Sequence, residues 1–242
     1  MRIAIIYGNQ RKESTYHCVK KIKDYLINCE ETQFDEFFLP GDMPHFCLGC
    51  FNCFLKGEST CPHYAMVKPI KEALINADGI IFASPVYGFD VTGAMKALLD
   101  HLCYLWMPHR PDDAMFTKIA LLISTTAGGG AGRTLKTIKN ALSFMGIKRI
   151  DSYGVAVAAS SWGEVKPDKK QKITKVLNKR AEKFYHKIKN RKRIAYRVYT
   201  RILFLVMKQV IHRYDHQSLD MKYWLDKGWL GKKSPFHKKD FK

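Results

Sequence analysis

The chain has 242 residues, of which 46% are hydrophobic, and a formal net charge of +19. This length suits one domain with an appendage or two small domains, and the apolar content is enough for a core without disulfides. No apolar run reaches the roughly 18 residues that a membrane span needs. Seven cysteines behind an N-terminus without secretion-signal features indicate reduced thiols, metal ligation or redox chemistry. We therefore expect a cytoplasmic protein, with peripheral attachment to a membrane as an alternative.

The positive charge is concentrated in the last third of the chain. Residues 164–242 contain 24 Lys and Arg and 7 Asp and Glu, a net charge of +17, whereas residues 1–163 carry a net charge of only +2. The basicity therefore says little about the first part of the chain. This change of composition predicts a main domain over residues 1–163 and a basic helical extension over residues 164–242.

Short apolar stretches alternate with segments of helical periodicity over about 160 residues. The predicted strands cover residues 2–7, 33–39, 78–84, 118–125 and 150–158. Ser14 is the predicted N-cap of the first helix. The alternation predicts an α/β fold with a parallel sheet covered by helices on both faces. Because ligands bind beyond the carboxyl ends of such strands, function is expected in the loops after strands one, three and four.

The loop after the first strand reads G-N-Q-R-K-E-S-T-Y and leads directly into a helix. Arg11, the Ser14 and Thr15 hydroxyls and the amide groups of the helix N-terminus can converge there on one phosphate. The loop matches neither the nucleoside-triphosphatase motif nor the dinucleotide motif, which argues against both classes. The alternative interpretation is an ordinary connection between a strand and a helix.

The loops after the third and fourth strands carry aromatic residues and glycines, respectively. Tyr87 and Phe89 can offer flat surfaces to a planar ring, or they can pack as core aromatics in a tight turn. Four glycines between residues 128 and 132 let the backbone approach a ligand closely, or they form a flexible loop.

Taken in order, these elements resemble the NADPH-dependent FMN reductase family of the flavodoxin-like superfamily. The resemblance covers roughly residues 1–160 and rests on G-N-Q-R-K-E-S-T, S-P-V-Y-G-F, the helix with Lys96 and Asp100, and T-T-A-G-G-G. It implies a flavodoxin-like, doubly wound five-stranded parallel sheet of order 2-1-3-4-5, usually in a homodimer. It also implies bound FMN with NAD(P)H as reductant. No catalytic acid or base is predicted, because hydride transfer to a flavin does not require one.

The resemblance assigns the cofactor contacts residue by residue. The residues implied to hold the FMN phosphate are Asn9, Gln10, Arg11, Ser14, Thr15 and Tyr16. Those implied to border the isoalloxazine ring are Pro85, Val86, Tyr87 and Gly88, with Thr126, Ala127, Gly128 and Gly129.

Four cysteines follow the second predicted strand with the spacing C-x2-C-x2-C-x7-C, namely Cys47, Cys50, Cys53 and Cys61. This spacing suits a [4Fe–4S] cluster and is similar to that of the iron–sulfur flavoproteins. Free or redox-active thiols are an alternative, since FMN reductases with similar cysteines and no known cluster exist. Tetrahedral zinc is a further alternative. The other cysteines, Cys18, Cys29 and Cys103, lie on apolar helix faces and are predicted core residues.

The basic extension begins with a lysine-rich amphipathic helix, which we expect to dock on the main domain. Residues 194–212 then combine a narrow cationic stripe with a wide apolar face that needs another surface. Packing on its own or a partner subunit is favoured over an anionic membrane interface or an acidic electron-donor protein such as ferredoxin. A lid over the flavin is a further alternative, with aromatic surface from Tyr223, Trp224, Trp229 and Phe236. Nucleic-acid binding is not expected, because the aromatic residues are not interleaved with the basic ones.

The sequence as a whole predicts an FMN-dependent oxidoreductase. It would take electrons from NAD(P)H, or from a ferredoxin-like donor, and pass them to a small acceptor such as a quinone, an azo or nitro compound, or free flavin. The alternative is an iron–sulfur flavoprotein that acts as an electron carrier or redox module on a partner or a membrane surface.

Overall fold

Five parallel strands form one sheet with the order β2-β1-β3-β4-β5. The computed structural model describes residues 1–236, so residues 237–242 of the predicted extension lie outside the described part. The strands are β1 (Arg2–Tyr7), β2 (Gln33–Phe38), β3 (Gly79–Pro85), β4 (Ile119–Thr126) and β5 (Arg149–Ala156). The predicted flavodoxin-like fold and its strand order are confirmed.

Helices follow each strand, and further helices extend the chain beyond β5. They are α1 (Ser14–Cys29), α2 (Asn52–Leu55), α3 (Tyr64–Asn76), α4 (Gly93–His101), α5 (Ala131–Phe144), α6 (Pro167–Lys189), α7 (Val198–Ile211) and α8 (Leu219–Asp226). Among residues 1–236, no helix combines the length and the apolar character that a membrane span requires.

Successive residues of the central strands supply two separate cores. On β1, Ala4 and Ile6 point to the face covered by α3, α4 and α5, whereas Ile3 and Ile5 point to the face covered by α1 and α6. This alternation follows from the two-residue repeat of a β-strand. Because both faces are covered, the central strands read as continuous apolar runs rather than as alternating ones.

Helix α6 lies beyond the predicted domain boundary but shares a core with the sheet. Leu177, Phe184 and Ile188 are buried in the same cluster as the strand residues on that face. The contact is close at Gly79, where an added Cβ would lie 2.5 Å from Ile188 Cδ1. The division at residue 163 stays a prediction, and the structure adds that α6 completes one helical layer of the fold.

Helices α7 and α8 pack on the body of the same chain through an aromatic core. Phe204 and Trp224 stack at 5.0 Å between ring centroids, and Phe116 of the main domain meets Phe204 edge to face at 6.1 Å. Trp229, Phe236 and Tyr223 belong to the same cluster or pack against it. The aromatic residues considered above as a lid therefore lie in this core, and none of them lines the cavity described below.

A buried ion pair ties α8 to the loop that carries the cysteines. The Asp220 carboxylate accepts hydrogen bonds from the Arg110 guanidinium and, at 2.8 Å, from His109 Nδ1. Arg110 also donates to the carbonyl oxygen of Cys53. The side chains of Arg110 and Asp220 are only 10% and 9% exposed. The last part of the chain therefore helps to hold the cysteine loop in place.

Removing the Asp220 carboxylate is expected to cost more stability than removing an exposed one. Asp220→Ala leaves the buried Arg110 charge without its main partner. We therefore expect the free energy of unfolding to fall by about 3 kcal/mol. Asp113→Ala is the matched control, because Asp113 pairs with Lys227 while 55% exposed, and we expect a loss below about 1 kcal/mol. Urea denaturation of both variants measures the difference. Equal decreases in the free energy of unfolding of the two variants would contradict the greater importance assigned to the Arg110–Asp220 pair.

Candidate functional site

A cavity of about 560 Å³ opens at the carboxyl edge of the sheet, between the loops that follow β1, β3, β4 and β5. Its volume is typical of a small-molecule site. Of the predicted FMN residues, its wall includes Asn9, Arg11, Ser14, Thr15, Pro85, Val86, Tyr87, Thr126 and Ala127. The fold thus brings most of the predicted residues of all three loops to one place.

The other predicted FMN residues lie outside the cavity wall, and they are Gln10, Tyr16, Gly88, Gly128 and Gly129. The Gln10 side chain lies over Gly41, whose added Cβ would be 2.3 Å from Gln10 Nε2. The Tyr16 ring packs near that of Phe38, with 6.3 Å between their centroids. Both side chains therefore contact neighbouring parts of the fold.

The glycine loop after β4 is shaped by the side chain of Thr126. Thr126 Oγ1 accepts a hydrogen bond from the Gly128 N–H at 3.2 Å and donates one to the Gly129 carbonyl at 2.6 Å. These two hydrogen bonds hold a turn over residues 126–129, and Ala127 within this turn lines the cavity.

The loop after β5 is a wall of the cavity that the sequence did not indicate. The predicted fifth strand ran to residue 158, whereas β5 ends at Ala156 and Ala158 has a left-handed backbone with φ of +54°. This loop adds Val157, Ala158, Ala159 and Ser160 to the cavity wall. Glu13, before α1, and Thr125, on β4, are further wall residues that were not predicted. Arg11 donates to the Ser160 carbonyl at 3.1 Å, and this contact closes the cavity on that side.

One end of the cavity has the properties of an anion site. Helix α1 begins at Ser14, so the prediction of Ser14 as N-cap was wrong by one residue. The N-cap is Glu13, whose side chain does not cap the helix. Its carboxylate instead accepts a hydrogen bond from the Trp162 N–H at 2.7 Å. The first amide groups of α1 therefore stay available to an anion, beside the cationic side chain of Arg11.

Thr15 anchors this end of the cavity to the neighbouring strand. Its Oγ1 lies 2.7 Å from Thr125 Oγ1, and both residues are buried. Through this contact the start of α1 keeps a fixed distance from β4.

The other end of the cavity carries exposed aromatic side chains. Tyr87 is 48% exposed, and Asn9 Nδ2 donates a hydrogen bond to its hydroxyl at 3.2 Å. Phe89 on the same turn is 70% exposed. Aromatic faces beside an open cavity suit a planar ring.

Asp90 fastens this aromatic turn to α5. Its carboxylate accepts hydrogen bonds from Thr137 Oγ1 at 2.8 Å, Arg133 Nε at 3.0 Å and the Val91 N–H at 2.7 Å. Burial opposes ionisation of Asp90, but these donors outweigh it and hold the pKa of the carboxyl below its usual value.

A second pocket, of about 330 Å³, gathers the four predicted metal ligands Cys47, Cys50, Cys53 and Cys61. All of these thiols are free. Left-handed backbone at Gly49, Phe51 and Gly57 turns the loop around them. Burial raises the pKa of the Cys53 thiol, and the thiols of Cys61, Cys47 and Cys50 raise it further. The four cysteines therefore line one pocket.

The remaining cysteines occupy three different environments. Cys18 is buried, as predicted, whereas Cys29 is exposed, so its prediction as a core residue was wrong. Cys103 is half-buried and lines the pocket of the four cysteines. Burial, with a smaller effect of Cys53 and Cys47, raises the pKa of the Cys103 thiol to about 12.

Two histidines that the sequence did not indicate complete this pocket. His63 Nδ1 lies 2.9 Å from His101 Nε2, and His101 Nδ1 lies 2.7 Å from the Ala97 carbonyl oxygen. Because a carbonyl only accepts, His101 donates through Nδ1 to Ala97, and its Nε2 faces His63 Nδ1. The ligand atoms of Cys61, His63 and His101 all lie within 4.8 Å of one another.

The two histidines, neither of which was predicted as a ligand, differ in the signal that the sequence carries for them. His63 follows Cys61 closely, which is a detectable signal. His101 belongs to α4 and meets them only through the fold.

The family model for the NADPH-dependent FMN reductases matches residues 1–161. The chain belongs to this family. It is 27% identical over 199 residues to an iron–sulfur flavoprotein of Methanocaldococcus jannaschii, an alignment that covers 79% of this chain and 99% of that protein. It is 28% identical over 233 residues to an iron–sulfur flavoprotein of Archaeoglobus fulgidus, covering 95% and 100% of the two chains.

Among solved structures, the flavoenzyme NAD(P)H:(acceptor) oxidoreductase of Paracoccus denitrificans aligns with a TM-score of 0.54 and 21% identity, covering 78% of this chain and 98% of that one. This likeness supports the fold. Family membership makes the chain an FMN-dependent oxidoreductase.

Two glycines bring the loops around the cavity at the sheet edge into close contact. An added Cβ at Gly8 would lie 2.8 Å from Ser84 Oγ. At Gly130 the backbone has φ of +91°, and an added Cβ would lie 2.7 Å from Val86 Cγ1. Larger residues at these positions would push the cavity loops apart.

Gly130→Ala is expected to destabilise the protein, whereas Gly128→Ala is not. Gly130 combines a left-handed backbone with a contact that leaves no room for a methyl group, so we expect a loss of about 2 kcal/mol. Gly128 has open space around its Cα, so the control variant should change the stability by less than about 0.5 kcal/mol. Thermal and urea unfolding measure both. A Gly130→Ala variant as stable as wild type would show that the glycine loop adapts freely.

Proposed function

We propose that the cavity holds FMN with its phosphate at the N-terminus of α1 and its ring beside Tyr87. The observation that carries this orientation is the uncapped start of α1, where Arg11, Ser14 and Thr15 line the cavity. An anion is stabilised there by amide groups and a cation, whereas the aromatic end offers surface to a flat ring.

FMN held in this cavity would supply two-electron redox chemistry between NAD(P)H and an acceptor. With a quinone the balance is NAD(P)H, one proton and quinone giving NAD(P)⁺ and hydroquinone. The residues of the chain position the cofactor: Thr15 fixes the phosphate end, and the hydrogen bond from Asn9 to Tyr87 fixes the ring end. The acceptors that we propose are small electrophiles such as quinones, azo and nitro compounds and free flavin.

Arg11→Ala is expected to weaken FMN binding while leaving riboflavin binding unchanged. Riboflavin lacks the phosphate, so only FMN loses a charge-assisted contact, at a cost of about tenfold or more in Kd. Lys12→Ala is the matched control, because the Lys12 side chain lies over the rings of Tyr16 and Phe38 and does not line the cavity. Fluorescence titration of the apoproteins of wild type and both variants with each flavin gives the six Kd values to compare. Equal weakening of both flavins would place the phosphate elsewhere.

NAD(P)H oxidation distinguishes the enzyme from the electron-carrier alternative. Steady turnover with a quinone or azo acceptor supports the reductase. Slow turnover that becomes fast only with a reduced ferredoxin supports a carrier. The homodimer implied by the family resemblance stays a prediction.

We further propose that Cys47, Cys50, Cys53 and Cys61 hold a [4Fe–4S] cluster. The support is the shared pocket of four free thiols and the likeness to proteins named iron–sulfur flavoproteins. Helix α4 spans about 14 Å, at 1.5 Å per residue, and leads from the aromatic turn of the FMN cavity to His101 in the cysteine pocket. The cluster would exchange single electrons, with FMN converting between one- and two-electron steps.

The rim of the cysteine pocket fits the approach of another protein. Its large apolar side chains are exposed by 62% to 72%, and they are Phe46, Leu48, Phe51 and Leu55. Exposed apolar patches of this kind mark interaction sites. This observation favours a protein electron donor as a second source of electrons.

The metal content of two variants tests the cluster proposal. In anaerobically purified protein, Cys50→Ser should lose iron and acid-labile sulfide, whereas His101→Asn should retain both, because it leaves all four thiols in place. Iron, zinc and sulfide analysis with visible spectra are the measurements. Zinc that is lost in His101→Asn but kept in Cys50→Ser would contradict the cluster and assign a single ion to Cys61, His63 and His101.

A further inference from the structure

Helix α7 is apolar on two opposite faces, and residues 1–236 cover only one of them. Its inner face buries Phe204 and Ile211 in the aromatic core. The large apolar side chains of its outer face are between 48% and 69% exposed, and these are Val198, Tyr199, Ile202, Leu205 and Val206. The exposed polar side chain of Gln209 lies among them. Helices with one packed side normally present polar residues to water on the other. The outer face of α7 therefore has the composition of a contact surface.

The segment around α7 has an unusual charge pattern. Residues 183–214 contain ten Lys and Arg and no Asp or Glu. Lys192 and Arg193 are exposed before the helix, and Arg213 is exposed after it. The apolar outer face is thus framed by positive charge at both ends.

We propose that the outer face of α7 docks on an anionic lipid bilayer, with the helix lying in the plane of the interface. Aliphatic side chains on one face and cations around them are the features by which interfacial helices bind such surfaces. Each exposed cation adds electrostatic attraction to anionic headgroups, and each aliphatic side chain adds buried apolar area. The helix has 14 residues, which suits a position along the interface.

The charge also decides between the possible occupants of this face. A second copy of the chain would bring an equal net charge of +19 against it, with no carboxylate in residues 183–214 to compensate. An acidic protein would match the charge, but most of the outer face is aliphatic, with Tyr199 and Gln209 as its exposed hydrogen-bonding side chains. A bilayer with anionic headgroups satisfies both the cations and the aliphatic ridge.

Vesicle flotation of the full chain tests the proposal. Wild type should float with vesicles of phosphatidylcholine and phosphatidylglycerol, should not float with phosphatidylcholine alone, and should detach as salt rises. Ile202→Ser with Leu205→Ser should weaken binding by about tenfold or more. Lys192→Glu with Arg193→Glu should weaken it by a similar factor.

Matched variants elsewhere on the surface control for general effects. Ile27 is 53% exposed on α1, so Ile27→Ser removes an equally exposed aliphatic side chain without touching α7. Lys136→Glu with Lys139→Glu makes the same change of net charge on exposed residues of α5. Both controls should bind like wild type, and circular dichroism with thermal unfolding confirms that each variant is folded.

Several outcomes would overturn the proposal. One is that wild type does not float with anionic vesicles. Another is that the α7 variants bind these vesicles no more weakly than the control variants do. A third is a lipid-free dimer that Ile202→Ser with Leu205→Ser dissociates in analytical ultracentrifugation, which would assign the face to a second copy. Capture of an acidic ferredoxin through the same residues, without vesicle binding, would assign it to a protein.

Discussion

The contact between the loops after β1 and β3 at Gly8 is the constraint on which the site depends. The Gly8 N–H donates to the Ala83 carbonyl at 2.7 Å, and Thr92 Oγ1 donates to the Gly8 carbonyl at 2.6 Å. Ser84 lies so close that no side chain fits at position 8. Because the backbone is held on both sides, the phosphate end and the aromatic end of the cavity keep one relative position, as pre-organised binding requires.

The same connection continues into the second pocket. Thr92 caps α4 by accepting the Met95 N–H at 3.1 Å, and α4 ends at His101 beside the cysteines. A short, well-anchored helix thus joins the flavin cavity to the proposed metal site. On the far side, Arg110 holds the Cys53 carbonyl and pairs with Asp220, so the extension stabilises the same pocket. The basic extension is therefore part of the structure that surrounds the cysteine pocket.

The two long helices of that extension, α6 and α7, differ in how much of their apolar surface is buried. Helix α6 buries an apolar stripe against the sheet and leaves its lysines in water, which is the behaviour of an ordinary amphipathic helix. Helix α7 buries aromatic and aliphatic residues on one side while aliphatic residues stay exposed on the other. The two helices have similar basic surroundings, but of the two only α7 retains an apolar surface that the described part of the chain, residues 1–236, leaves exposed.

The sequence by itself determined the sheet, because apolar runs such as Ile3–Ile6 and Ile80–Ala83 and the loops that end them are local signals. It also determined that Arg11, Tyr87 and Thr126 belong to one site, since parallel strands end at a common edge. Only the tertiary structure decided the rest. Ser160 reaches Arg11 and His101 reaches Cys61 through contacts between distant parts of the chain, and spacing along a sequence does not encode such contacts. The exposure of Ile202 likewise depends on which side of α7 the aromatic core covers, a choice made by packing.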